Sequence, residues 1–144
     1  GGTVSSRMDV LWGGVEGQSA RHPKQTKTTM VDFHAKTTTK KEAVGFYLEG
    51  KDGGFAETPT HGQTADEKFL PKGTAYITDL GMCGPTKSVI GSDPVLSIAR
   101  SISQMPLKSE IADTPPMLQG VIVRIDPITG KALSIERFTR CFSV

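Results

Sequence analysis

The sequence predicts an α/β fold, one mixed sheet with helices on one face and a C-terminal β-hairpin. Three observations carry this expectation. Apolar β-rich segments alternate with amphipathic ones in the order strand, helix, strand, strand, helix, hairpin. Both helical segments open on residues that cap helix N-termini. The last two strands are separated by a short turn that ends in glycine.

The elements follow in chain order. "TTMVDFHA" (Thr28 to Ala35) is rich in β-formers and ends in a polar tip, as a buried strand does. Thr39 and Glu42 have capping-box spacing, so a helix is expected to start there and to end at Gly50 and the following "KDGG". "GFAET" is a short strand, "LPKG" a turn, and "TAYITDL" alternates as a strand. In "SDPVLSIARSISQM", Ser92 or Asp93 caps a second helix and Pro94 sits in its first turn. Val95, Ile98, Ile102 and Met105 then share one helix face. "MLQGVIVRID" and "KALSIERF" are hairpin strands joined by "PITG", with Gly130 at the turn.

Residues 1–28 differ from the rest. They hold "GG", "SS" and "EGQSARHPKQTKTT" around one apolar patch, "MDVLW". Such a segment buries little on its own. The expected organisation is an extended N-terminal segment over 1–28 that docks on a partner, with Trp12 as an anchor, and a folded unit over 29–144.

Composition narrows the function classes. The chain has 144 residues, 36% of them apolar and 22% charged, enough for one domain with a modest core. A net charge of +2 does not by itself argue for nucleic acid. The basic residues are concentrated, however, in "RHPKQTK" and "KTTTKK". A contact with an acidic partner or a nucleic-acid backbone would use Arg21, Lys24, Lys27, Lys36, Lys40 and Lys41. The alternative is a solvated face. Cys83 and Cys141 form no CxxC spacing and are expected as reduced thiols in an intracellular compartment. No apolar run approaches the roughly 20 residues of a membrane helix. The chain begins Gly1-Gly2 rather than Met, which leaves two readings open: a targeting segment or a longer stretch was removed, or it never belonged to this polypeptide.

Two histidines are the candidate chemical groups. His34 follows an apolar strand in "VDFHA", and His61 sits at the end of another in "TPTHGQT". Strand ends at the carboxyl edge of an α/β sheet are where such folds hold ligands, and imidazole is the commonest metal ligand. Asp32, Asp66 and Asp79 lie close by in sequence. A structural hydrogen-bonding role for each histidine is the alternative. No GxSxG, P-loop or HExxH motif is present, and Ser88, Ser92 and Thr78 have no base that the sequence identifies.

Taken together, "VDFHA", "QTADEKFLPKGTAYITDLGMCGP", "SVIGSD" and "GVIVRIDPITGKALSIERF" resemble the C-terminal half of the YmdB-type, calcineurin-like metallophosphoesterases. The likeness runs in matching order from about Met30 to Phe138. It implies half of a sandwich of two facing sheets with helices outside. It also implies phosphodiester hydrolysis, cyclic nucleotides included, at a pair of metal ions. His34 matches the histidine of the family's "DFHAE", and His61 matches the second histidine of its "THTH". The first histidine of that pair falls on Pro59, the glutamate after "DFHA" falls on Lys36, and the family's N-terminal ligands are missing.

These departures lead to the expectation of a non-catalytic remnant, serving as a structural or interaction subunit of a larger assembly. On that expectation the chain has no catalytic residues, no cofactor, and only vestigial metal ligands in His34 and His61. Two alternatives stay open. One is a metal-dependent phosphodiesterase completed by a separate N-terminal half, with divalent metal ions as its cofactor. The other is a nucleic-acid-contacting subunit of a ribonucleoprotein. The "GMCG" variant resembles the alphaproteobacterial side of the family, from which a mitochondrial location is expected.

Overall fold

A computed structural model of the chain describes residues 28–32, 34, 38–50 and 53–143. The elements are β1 (Met30–Asp32), α1 (Thr38–Leu48), β2 (Gly54–Ala56), β3 (Lys68–Phe69), β4 (Ala75–Tyr76), β5 (Cys83–Pro85), α2 (Pro94–Ser103), β6 (Pro116–Ile125) and β7 (Ala132–Cys141). Trp12, Arg21, Lys24, Lys27 and Lys36 lie outside the described residues, as does the expected docking segment apart from Thr28. Lys40 and Lys41 belong to α1, but their side chains are likewise outside the description.

The strands form two sheets. The first is mixed, in the order β1-β2-β4-β3, with β1, β2 and β4 parallel and β3 antiparallel at the edge. The second is antiparallel, in the order β5-β6-β7. The expected hairpin is therefore present, and it recruits the "GMCGP" segment as a third strand. That pairing is hidden in the sequence because Cys83 lies opposite Leu118, far along the chain.

The core sits between α1 and the first sheet. Val44, Leu48, Phe55, Leu70 and Tyr76 form one buried cluster, with Val31 against it. The Phe55 and Tyr76 rings stack with centroids 5.7 Å apart. Thr74 to Asp79 is buried without interruption, so β4 is covered on both sides and does not alternate as its sequence suggests. The expected capping box differs in detail. α1 begins at Thr38, and the Glu42 carboxylate pairs with Lys68, whose ammonium also lies 5.2 Å from the Tyr76 ring centroid. The helix ends as expected, with Gly50 in the left-handed region (φ 78°) and its amide donating to Thr74 Oγ1.

α2 is capped by Asp93, whose Oδ1 accepts from the Leu96 amide at 3.0 Å, and it ends on Gln104 in the left-handed region. Its apolar face points outward: Val95 is 73% and Ile102 79% exposed. The two sheets are joined at their ends. Ala132 N–H donates to Gly73 O at 2.9 Å, and the Arg137 guanidinium meets the Glu67 carboxylate at 2.7 Å.

Candidate active site

The first sheet delivers two connections to one place. His34 follows β1, and His61 lies in the segment between β2 and β3. Both line a cavity of about 660 Å³. Its other walls are Gly81–Pro85, the turn around Ile90–Ser92, and Ser109–Ile111. Both imidazoles are exposed to it.

The segment carrying His61 is held by buried polar groups. Asp79 is fully buried. Its Oδ2 accepts from the Thr60 amide and the Thr60 hydroxyl, each at 2.7 Å, and its Oδ1 accepts from the Gly81 amide at 2.8 Å. The Asp79 backbone is pinned too. Its amide donates to Thr64 Oγ1 at 2.9 Å, and its carbonyl accepts from the Thr64 amide at 3.1 Å. His61 follows Thr60 directly and takes a left-handed conformation, φ 61°. Histidine is among the non-glycine residues that tolerate this region, at some cost in local strain.

The opposite wall is built from tight turns. Gly81 has φ 88°, and a Cβ there would lie 2.3 Å from Gln119 Oε1, so only glycine fits. Val89 and Ser92 exchange both backbone hydrogen bonds around Ile90 and Gly91, which have φ 47° and 96°. Two consecutive left-handed residues make a tight hairpin turn, and a β-branched Ile90 in such a turn is strained. Ser88 Oγ donates to Pro85 O and accepts from the Gly91 amide, so its hydroxyl is a turn-former rather than a nucleophile. Ser92 and Ser109 join hydroxyl to hydroxyl at 2.9 Å across the cavity rim.

Two of the aspartates expected near the histidines, Asp66 and Asp79, have other partners. Asp66 accepts from the Thr78 amide and hydroxyl. Burial pushes its carboxyl up, but the hydrogen bonds from Thr64 and Thr78 outweigh this and hold it below the ordinary value. Neither Asp66 nor Asp79 belongs to the cavity wall. Cys83 and Cys141 are free and exposed, and Cys83 lines the cavity.

The donor set can be tested against the metal pair that the resemblance implies. Two imidazoles face the cavity, and Pro59, at the position of a third, offers no side-chain donor. Among the described residues, no group of three or more His, Cys, Asp or Glu side chains is placed to hold a metal ion. These residues do not by themselves enclose a metal ion.

The family model of the YmdB-like protein matches residues 4–138. The chain belongs to the YmdB-like family. A relative from Bacillus subtilis (strain 168), 2′,3′-cyclic-nucleotide 2′-phosphodiesterase, is 43% identical over 118 residues, covering 82% of this chain and 45% of the relative. A solved structure described as a novel phosphatase from Mycoplasma pneumoniae superposes with a TM-score of 0.82 at 33% identity, covering 90% of this chain and 46% of the other. A hypothetical protein from Thermus thermophilus superposes with a TM-score of 0.81 at 27% identity, covering 88% and 49%. The chain thus spans less than half the length of these relatives.

These findings correct the expectation of a non-catalytic remnant kept as a structural or interaction subunit. The relatives named by activity are a phosphodiesterase and a phosphatase. Pro59 and Lys36 carry less weight than that expectation gives them: they remove one donor and add one charge, while His34 and His61 still share a cavity. The Bacillus subtilis and Mycoplasma pneumoniae relatives are bacterial and give no ground for the expected mitochondrial location. Among the described residues, no helix is long and apolar enough to cross a membrane.

Proposed function

We propose that this chain forms one wall of a metal-dependent phosphodiesterase site, with His34 and His61 as its imidazole donors. One observation carries the proposal: the two histidines, from separate connections of the first sheet, line the same cavity. The name of the Bacillus subtilis relative supports a cyclic nucleotide phosphodiester as the substrate class. Divalent ions, when bound at such a site, polarise a phosphoryl oxygen and activate water. The remaining donors come from outside the described residues, in keeping with a chain that spans under half the length of its relatives.

The chain's own residues have distinct tasks under this proposal. His34 and His61 present ring nitrogens to the cavity. Gly84 and Gly91 keep side chains out of the wall, so a phosphate group can approach the backbone closely. Met82, Ile90 and Ile111 give the rim an apolar side.

The test is hydrolysis of a 2′,3′-cyclic nucleotide with Mn²⁺, by the full chain together with the segment that completes it. His61→Ala and His34→Ala should each lower kcat/KM at least about a hundredfold, or ~2.7 kcal/mol of transition-state stabilisation. Activity in both variants equal to that of the parent would refute the proposed donors. No hydrolysis by the parent would refute the activity.

A further inference from the structure

We infer that Asp79 is a positioning residue of this site, whose buried carboxylate fixes the His61 loop against the Gly81–Pro85 wall. Asp79 never reaches the cavity. It acts through the residues on either side of it. Its two oxygens face two different walls: Oδ2 takes both donors of Thr60, the residue before His61, and Oδ1 takes the amide of Gly81. One carboxylate therefore sets the distance between the imidazole and the glycine wall.

The chemistry of the donors explains why an aspartate is needed. Thr60 N–H and Gly81 N–H can only donate, and an ionised carboxylate can accept at both oxygens. Asparagine has the same shape but one acceptor oxygen. Turned toward Thr60, its oxygen leaves an NH₂ group facing the Gly81 amide. Turned toward Gly81, it leaves the NH₂ group facing the Thr60 amide. Either way one backbone donor in a buried place loses its acceptor. The strained left-handed backbone of His61 gives the loop a reason to relax once its tether is cut.

The experiment uses Thr60→Val, Thr60→Ser and Asp79→Asn in the full chain. Thr60 is exposed, so Thr60→Val keeps the fold even if the buried Asp79→Asn does not. The first readout is the imidazole ¹H–¹⁵N spectrum, with His34 as internal control. Thr60→Val and Asp79→Asn should shift and broaden the His61 signals and leave those of His34 in place. Thr60→Ser, which keeps the hydroxyl donor, should restore the parent spectrum. An unmoved His61 signal in Thr60→Val, or equal shifts at His34 and His61, would overturn the inference, because a general loosening of the fold moves both.

The second readout rests on the phosphodiesterase reading above: hydrolysis of bis(p-nitrophenyl) phosphate with Mn²⁺ by the chain and its completing segment. Thr60→Val should lower kcat about tenfold or more with KM nearly unchanged, and Thr60→Ser should recover it. A parent that hydrolyses nothing sinks the activity reading, while the imidazole spectra still decide the role of Asp79. A loss confined to KM would count against positioning.

Discussion

The side-chain nitrogen of Gln63 lies 3.0 Å from the carbonyl oxygen of Gly120. The same nitrogen reaches the carbonyls of Leu80 and Phe138, each at 3.2 Å, and Gln63 Oε1 accepts from Thr139. A primary amide carries two hydrogens, so three carbonyls share them. One glutamine thus clamps the loop of His61 onto the β6–β7 hairpin. Gln63→Leu keeps the volume and removes every one of these bonds. It should destabilise the chain by about 1–3 kcal/mol, measured by urea unfolding, because the carbonyls lose their donor in a half-buried place. A change within experimental error would show that water replaces the amide at no cost.

Gly45 offers a test in which the usual propensity is reversed. Glycine in the middle of a helix normally costs stability relative to alanine. Here a Cβ at Gly45 would lie 2.9 Å from Cδ2 of the Tyr76 ring, which is fully buried and stacked on Phe55. Gly45→Ala should therefore destabilise, by about 1–3 kcal/mol, through overpacking. A gain in thermal midpoint would mean that the ring moves freely aside.

Acid should weaken the fold through three carboxylates. The hydrogen bond from Arg137 holds the Glu67 carboxyl below its ordinary 4.5. The Ile128 amide and the Thr129 hydroxyl do the same for Asp126, from an ordinary 3.8. Asp66 is lowered on balance, its hydrogen bonds outweighing burial. A lowered folded value means that the unfolded chain binds protons first. The stability from these groups is full above their unfolded values and is lost as pH falls through the folded ones. Thermal midpoints should thus drop from about pH 5 to about pH 3, and Arg137→Gln should flatten that drop by removing the share of Glu67. An identical acid limb in Arg137→Gln would refute the assignment.

Alkali acts through one group of the opposite sign. Burial pushes the Tyr76 phenol above its ordinary 10.0, with the nearby carboxylates of Glu57, Asp66 and Glu42 adding to it. The stability it confers is complete below that ordinary value and is lost as pH rises through the higher folded one. Spectrophotometric titration should show one of the two tyrosines ionising later than free tyrosine, in step with unfolding.

Pro59→His supplies the donor that the family resemblance implies at this position. Mn²⁺ binding by the full chain, followed by calorimetry, should tighten about tenfold, or ~1.4 kcal/mol. Adding His61→Ala should cancel the gain. An unchanged affinity in Pro59→His would mean that the His61 loop is not a metal-binding face.

What the sequence discloses depends on how local each signal is. The α2 cap at Asp93, the Gly50 stop and the Gly130 turn are formed by neighbours, and all three stand where the residues imply. The histidines stand out because imidazoles at strand ends are few. Their convergence on one cavity does not, since it depends on parallel pairing of β1 with β2. β5 reads as a loop because its partner lies beyond α2. Asp79 shows in the sequence only as a nearby carboxylate. Its work is done by hydrogen bonds to Thr60 and Gly81 that no spacing rule encodes.

The Gln63 clamp also bears on the order in which the chain folds. β6 and β7 are joined by a short turn, so their ladder closes a small loop. Gln63 meets Gly120 and Phe138 across 57 and 75 residues of chain, and that closure costs more entropy. Local ladders form before long-range contacts repay their closure. The hairpin is then the early platform, and the His61 loop settles onto it late. In hydrogen exchange, the loop should open before the hairpin. The cavity would come apart and re-form many times over within a single lifetime of the folded hairpin.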